Sequence, residues 1–417
     1  MLRVIETWFD ESKHPVPAEY LSRVREVILL LTDDPDPQPE DERPEEGVYG
    51  EKNPSVIAWS HVRPSALSTL IDYARYRAWL LQQAAGGGDP AGPGPSRLEP
   101  VVRETLTRKL DRRADPSPAV HSVYGRWLPQ LLWLDQEWLE AHVEQIFPEG
   151  DGEEAKWLFA AAWDSYMRFS ETISIARVEM LRPKYERAID NLSNGVVTRT
   201  TPQPARELAN HLLIEYLHAN YELRSPAGQD SLIVKFYARL SAPQHADAAW
   251  VLWKLCDVNR DRLDDYWPRA RALWQWRVDA ASSANHPADF DDEMSWFTLL
   301  LKIAHGRETM TSLWPILEGI LPHVARPGTR HHGWDEIEEY LAKEVERDPV
   351  NAIRYYRLMH THRAESAWAF FGDKDADKII ETAADSEEAE QEVLDLIDLL
   401  GRHKNYRYME IYNRRAN

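Results

Sequence analysis

The sequence contains almost no cysteine, few basic residues for its acidic content, and no long apolar run. Cys256 is the single cysteine among 417 residues, so no disulfide can form within the chain and a reducing compartment is favoured. The net charge of −20 repels phosphate backbones, which disfavours nucleic acid as a partner. The apolar runs are shorter than the ~20 residues that a membrane span needs, and no signal-peptide pattern opens the chain. We therefore predict a cytoplasmic protein with no membrane partner.

Motifs for phosphate binding and for nucleophilic catalysis are missing. The glycine-rich stretch 86–95 has no strand before it and no lysine followed by serine or threonine after it, so we interpret it as a flexible surface loop. No serine lies in a glycine-flanked elbow. Cys256 has no activating histidine in its local sequence, which predicts a buried structural thiol. We assign no catalytic residue and no cofactor or cofactor-binding residue.

One stretch begins like a calcium-binding loop. Asp257, Asn259 and Asp261 place oxygen ligands at alternate positions. However, Arg262 stands where glycine is needed, and Pro268 stands where a bidentate glutamate is needed. The pattern is more typical of a solvated turn between helices.

Two histidine pairs were the other candidates for metal binding. His331 and His332 are adjacent and point in different directions on any regular backbone, which favours a polar turn. His360 and His362 lack the spacing of a zinc-protease helix, and we interpret them as a helix end whose cations complement the helix dipole. We assign no metal ligand.

Tryptophan is abundant, with 17 copies distributed through helical apolar patterns. Apolar residues repeat at steps of three and four over 162–180, which predicts a five-turn helix with a kink at Pro183. Asp135 is placed to cap a helix, and Asp348 followed by Pro349 is a further helix start signal. Alternating strand patterns are essentially missing. The sequence therefore predicts an all-α protein.

The length exceeds what a single hydrophobic core normally supports, which favours a stack of helical pairs. No exact repeat period is present, so we predict an irregular α-solenoid of helical hairpins, a superhelix of the HEAT or TPR type. The predicted segments are N-terminal helices 1–32, an acidic proline-rich loop 33–55 whose part 33–46 is solvated, a helical subdomain 56–195 with a flexible Gly/Pro loop 85–96, tryptophan-rich helices 196–304, and C-terminal repeats 305–417.

A protein interface is predicted on the tryptophan-rich helix near residue 274. Trp274 and Trp276 are two residues apart, so their side chains point about 200° apart on a helix. The favoured arrangement is a helix buried on two sides, because aromatic stripes are more often core than partner surface. The alternative is one indole exposed as an interface anchor. We take Trp267, Trp274, Trp276 and Arg277 as the candidate interface residues.

Several stretches together resemble the C-terminal helical region of large bacterial antiphage-defence proteins, namely signal-transducing ATPases with numerous domains and their sirtuin-like relatives. The resemblance covers the chain from about Ser55 onward. The stretches that carry it are 122–126, 131–135, 146–148, 161–166, 181–185, 274–277, 340–342, 347–349 and 396–401.

The resemblance implies a helical scaffold whose ATPase or effector domain lies N-terminal to the array. This sequence contains no Walker-type phosphate loop and no nicotinamide-dinucleotide fingerprint, so no catalytic residue of the family transfers to it. Either the chain is a piece of a longer protein, or it is a separate protein that associates with its effector.

The predicted function is therefore a non-enzymatic sensor or regulatory scaffold in bacterial immunity. Its partners would be a protein ligand, of which a phage protein is one candidate, and an ATPase or other effector domain in cis or in trans. Two alternatives stay open. The first is a helical metal-dependent nuclease or hydrolase that uses Asp257, Asp261, Asp264 and Asp265, and the second is a structural oligomerisation arm.

Overall fold

The computed structural model describes residues 9, 16–38, 40–42, 53–84, 86, 96–150, 152–170, 175–195, 203–218, 223, 230–325, 332–362 and 374–415. The described ranges contain α-helices and short 3₁₀ turns and no strand. The prediction of an all-α protein is confirmed. None of the helices in the described part of the chain combines the length and the apolar character that crossing a membrane requires.

The chain divides into two compact units, residues 1–211 and residues 212–417. The first unit contains the helices Leu21–Leu31, Pro54–Ser60, Val62–Ala84, Pro100–Lys109, Pro118–Arg126, Leu128–Leu134, Gln136–Ile146, Glu153–Phe169, Ile175–Met180 and Arg182–Ser193. The division falls within the helix Pro204–His218. The second unit contains the helices Leu232–Arg239, Ala242–Val258, Leu263–Ser282, Asp291–Phe297, Leu301–Ala304, Met310–Val324, His332–Glu344, Pro349–Thr361, Lys374–Ala384, Glu390–Arg402 and Met409–Arg415.

Side-chain caps start several of these helices where the sequence predicted them. The Oδ1 atom of Asp135 accepts a hydrogen bond from the backbone N–H of Trp138 at 2.9 Å. The Oδ1 atom of Asp348 accepts from the N–H of Asn351 at 3.1 Å. Each cap satisfies an N–H group that has no partner inside the first helical turn. Both predicted helix starts are confirmed.

The predicted five-turn helix over 162–180 is wrong. The helix ends at Phe169, because Ser170 has a non-helical ψ of 87°. Pro183 lies in the first turn of a separate helix that begins at Arg182, where a missing N–H group costs nothing. Ala162 and Tyr166 are buried as the apolar spacing predicts, whereas Phe169 and Met180 are only half-buried.

The acidic segment 33–46 is not solvated throughout. Glu42 is buried, and its Oε1 atom accepts hydrogen bonds from Ser117 Oγ at 2.6 Å and from the N–H of Ala119 at 2.9 Å. Glu42 therefore adds a second acceptor at the start of the helix Pro118–Arg126, where the dipole favours negative charge. A composition rich in carboxylates and proline could not reveal this contact, because Glu42 and Ser117 are far apart in the sequence.

Two helices of the first unit cross at unusually close range. A Cβ atom added to Gly125 would lie 1.9 Å from the backbone carbonyl oxygen of Ala162. Beside this point, the Oγ atoms of Ser122 and Ser165 are 2.6 Å apart in a hydrogen bond. The crossing joins the C-terminal end of the helix Pro118–Arg126 to the middle of the helix Glu153–Phe169. The guanidinium of Arg126 lies 5.1 Å from the ring centroid of Phe169.

Candidate functional site

Most of the interface residues predicted from the sequence are buried in the second unit. Trp274 is completely buried, and Arg277 and Trp267 are nearly so. Trp267 donates its indole N–H to Glu308 Oε1 at 2.9 Å. Trp276 is half-buried, with its ring 5.6 Å from the ring of Tyr237 in an edge-to-face arrangement. These four residues therefore do not form an exposed surface, because only the side chain of Trp276 is partly exposed.

Arg277 is held by an ion pair inside the second unit. Its Nε atom donates to Glu293 Oε1 at 2.7 Å, and a second guanidinium nitrogen donates to Oε2 at 3.0 Å. The guanidinium also lies over the ring of Tyr237, 4.2 Å from its centroid. Burial raises the pKa of Glu293, while the bonds to Arg277 oppose this shift. Arg277 is therefore part of a buried polar core.

The carboxylates of the alternative enzyme do not converge. Asp261, Asp264 and Asp265 are exposed and Asp257 is half-buried. Asp257 forms an ion pair with Arg260, three residues later, and Asp264 forms an ion pair with Arg307. These four residues form no group with metal-ligand spacing, among the residues that the structure describes. The arrangement does not support metal-dependent hydrolysis at this position.

The remaining sequence candidates occupy structural positions. Burial raises the pKa of the Cys256 thiol to about 12, so the reactive thiolate is not available near neutral pH. His360 is buried against the rings of Trp334 and Tyr356. His362 is exposed at the end of the same helix. His331 lies outside the described residues.

A chain of hydrogen bonds links three aromatic side chains within the first unit. His211 Nε2 lies 3.0 Å from the carbonyl oxygen of Met167, which can only accept, so Nε2 carries the proton. Nδ1 then accepts from the hydroxyl of Tyr185 at 3.0 Å, and the Tyr185 oxygen accepts from Tyr166 at 3.0 Å. Burial lowers the pKa of His211 to about 4. The hydrogen bonds to Met167 and Tyr185 fix the neutral imidazole of His211 in one tautomer, so its role is structural.

A cluster of aromatic and arginine side chains lies partly exposed in the first unit where three helices end. Trp59 is in the last turn of the helix Pro54–Ser60, Arg126 ends the helix Pro118–Arg126, and Arg168 and Phe169 end the helix Glu153–Phe169. Val56 lies one turn before Trp59 and is also exposed. We call these five residues the Trp59 surface.

Stacking contacts organise the Trp59 surface. The guanidinium of Arg126 lies 4.2 Å from the ring centroid of Trp59 and 5.1 Å from that of Phe169. The two aromatic rings are 6.1 Å apart, and Arg168 lies 5.4 Å from the ring of Phe169. Trp59 has 49% of its surface exposed, and the other tryptophans in the described ranges are half-buried or buried. Holding these side chains in fixed positions reduces the entropy that a partner's binding would cost.

Helix ends explain why two cations lie here. The C-terminal end of a helix carries unsatisfied carbonyl groups and a partial negative charge, which favours arginine in the last turn. Arg126 and Arg168 both occupy such positions. A guanidinium stacked on an aromatic face keeps its positive charge. The Trp59 surface therefore combines apolar area with positive charge on a strongly acidic protein.

Sequence reasoning missed this surface. Val56 and Trp59 have the three-residue spacing of one helical face, but that spacing does not distinguish a buried face from an exposed one. Arg126 and Phe169 come from helices more than 60 and 100 residues further along the chain. Comparisons with protein-family models, with curated proteins and with solved structures gave no match.

Proposed function

We propose that this chain is a non-enzymatic helical scaffold that binds another protein through the Trp59 surface. The observation that carries the proposal is the half-exposed indole of Trp59, stacked with Arg126 beside Phe169. Tryptophan and arginine are the residues most enriched at energetic centres of protein interfaces. An exposed indole loses water contact when covered, which makes it a favourable binding group.

The charge of the surface indicates the chemistry of the partner. Arg126 and Arg168 place two cations among apolar rings, so the best complement is a protein segment with an apolar side chain flanked by carboxylates. The net charge of −20 disfavours a second copy of this chain, because two strongly negative molecules repel each other during encounter. The same field disfavours nucleic acid.

The wider role that we propose is the sensor or regulatory part of a bacterial antiphage defence system in the cytoplasm. The all-α architecture is compatible with an irregular α-solenoid of helical hairpins, in which each pair packs on its neighbours and a long binding surface results. The defence role follows from the sequence resemblance. In this role the Trp59 surface would engage a protein ligand, and an ATPase or other effector domain in cis or in trans would respond.

A selection from a random peptide library tests the binding function. The purified chain should enrich peptides that combine acidic residues with an aromatic or aliphatic residue. Binding should fall at least tenfold for Trp59→Ala, since the indole supplies the apolar contact. The matched control is Tyr406→Ala, because Tyr406 is an exposed aromatic residue of the other unit, with 63% of its surface accessible.

The selection can also refute the proposal. Peptides without an acidic bias would contradict the inferred partner chemistry. Peptides that bind Trp59→Ala as tightly as the unchanged chain would show that the surface is not a docking site. Phage challenge of bacteria that express the chain with its candidate effector tests the wider role. Protection that is unaffected by deletion of the chain would contradict a sensor function.

A further inference from the structure

Three potential metal ligands from two separate segments meet in the first unit. Asp36 and Asp41 lie in the segment that follows the helix Leu21–Leu31, and His61 follows the helix Pro54–Ser60. One ligand atom from each residue lies within 4.8 Å of the other two. In the part of the chain that the structure describes, no other three histidine, cysteine, aspartate or glutamate side chains come this close together.

Backbone donors hold one oxygen of each carboxylate and leave the other oxygen for a ligand. Asp36 Oδ2 accepts from the N–H of Val62 at 2.8 Å. Asp41 Oδ2 accepts from the N–H of Gln38 at 3.0 Å. Such outer contacts fix the direction of a carboxylate before a metal arrives.

The imidazole is oriented in the same manner. His61 Nδ1 lies 3.0 Å from the hydroxyl oxygen of Ser60, and Nε2 lies 3.9 Å from Asp36 Oδ1. A distance of 3.9 Å is too long for a hydrogen bond, so the ring and the carboxylate face each other without a direct bond. Ligands of a tetrahedral zinc ion are about 3.3 Å apart, given bonds of about 2.0 Å. The three atoms, which lie within 4.8 Å of one another, would have to approach by up to about 1.5 Å to bind zinc.

Arg63 follows His61 by two residues, and its side chain has other partners. Arg63 Nε lies 3.2 Å from Asp115, and the two terminal nitrogens of Arg63 donate to the carbonyl oxygens of Asp34 and Pro37. A terminal nitrogen of Arg63 also lies 3.8 Å from Glu42 Oε2, so its charge is shared with Asp115, with Glu42 and with the backbone of the loop. Two carboxylates and an imidazole at short range attract a divalent cation, because the site would otherwise hold two negative charges.

We propose that Asp36, Asp41 and His61 bind one divalent transition-metal cation, and that Zn²⁺ fits best. Imidazole nitrogen with carboxylate oxygens is a donor set suited to zinc, whereas calcium requires six or more oxygen ligands. Three protein ligands leave a fourth position for water. The sequence prediction assigned no metal ligand, because the three residues match no known spacing.

Zinc at this position would join the segment 36–41 to the end of the helix that carries Trp59. A metal that bridges two segments orders both of them, since the bonds form only in the folded arrangement. None of the three ligands belongs to the Trp59 surface, so zinc binding can be tested separately from the protein-binding proposal.

Calorimetric titration of the tag-free, chelator-treated full chain with ZnCl₂ tests the proposal. We expect one zinc ion per chain, with an affinity that weakens as the pH falls, because a protonated imidazole cannot ligate. His61→Ala and Asp41→Asn should each weaken binding at least tenfold. The control is His305→Ala, since His305 lies 2.7 Å from Glu344 but has no third ligand among the described residues.

A second measurement separates loss of ligation from loss of folding. Zinc should raise the melting temperature of the unchanged chain and of His305→Ala, and should not raise that of His61→Ala. Circular dichroism without metal establishes that each variant folds. The proposal is wrong if zinc at 100-micromolar concentration does not bind at about one equivalent, or if His61→Ala binds it unchanged. It is also wrong if His61→Ala only lowers the stability of the metal-free chain, which would indicate a plain ion pair.

Discussion

Replacing Gly125 with alanine should destabilise the first unit, although the same change usually stabilises a helix. Alanine in a helix interior is favoured over glycine by about 1 kcal/mol. At Gly125, however, the added Cβ atom would lie 1.9 Å from the carbonyl oxygen of Ala162. Ordinary contact between these atoms is about 3.3 Å, so the two helix backbones would have to separate by more than an ångström.

The cost of this separation can be worked from the contacts at the crossing. Forcing extra volume into a packed contact costs about 1–3 kcal/mol, and the upper end applies here because backbone cannot rotate away. Moving the helices apart also weakens the 2.6 Å hydrogen bond between Ser122 and Ser165, worth about 1 kcal/mol. After the helix preference of alanine is subtracted, the free energy of unfolding should fall by about 3 kcal/mol.

Urea unfolding followed by circular dichroism measures this loss, and hydrogen exchange of the helices Pro118–Arg126 and Glu153–Phe169 locates it. The matched control is Gly401→Ala, because Gly401 also lies in a helix but has no atom within 4 Å of the added Cβ position. This control should gain about 0.5–1 kcal/mol. If Gly125→Ala were as stable as Gly401→Ala, the close crossing would be refuted.

Three further predictions concern buried ionisable groups. Burial, together with the nearby charge of Glu207, raises the pKa of Asp164, so its contribution to stability is full below the unfolded pKa and is lost as the pH rises through the folded pKa. Asp164→Asn should therefore gain more stability at pH 8 than at pH 5 in urea unfolding, and an equal gain at both would contradict this. Burial lowers the pKa of His211 from 6.5 to about 4, so protonating this histidine costs the folded state about 3 kcal/mol more than the unfolded state. The free energy of unfolding should therefore fall by about 3 kcal/mol as the pH falls from 6.5 to 4. His211→Gln should flatten that acid limb of the stability curve, and an unchanged limb would refute the assignment. Cys256 should react with a disulfide reagent at pH 8 only when the protein is unfolded in urea, whereas rapid reaction of the native chain would show that the thiol is accessible.

Local sequence signals determined where many helices begin, because a cap involves only neighbouring residues. Asp135 and Asp348 accept hydrogen bonds from N–H groups three residues later, within the same turn. The helical spacing of apolar residues likewise predicted the all-α class. Cys256 lies in a run of apolar residues, and its buried state follows from that environment.

The tertiary structure alone decided which groups meet. The sequence placed Trp274 and Arg277 among candidate interface residues, but contacts from other helices bury both of them. Trp59 is no less apolar than Trp274, yet it remains half-exposed because no described element covers it fully. Asp36 and His61 belong to segments that match no motif, and only the folded chain brings them within 4 Å. The spacing of residues along the sequence determines which side chains meet within one helix. Contacts between helices depend on how all the helices pack together, and no local sequence pattern encodes that packing.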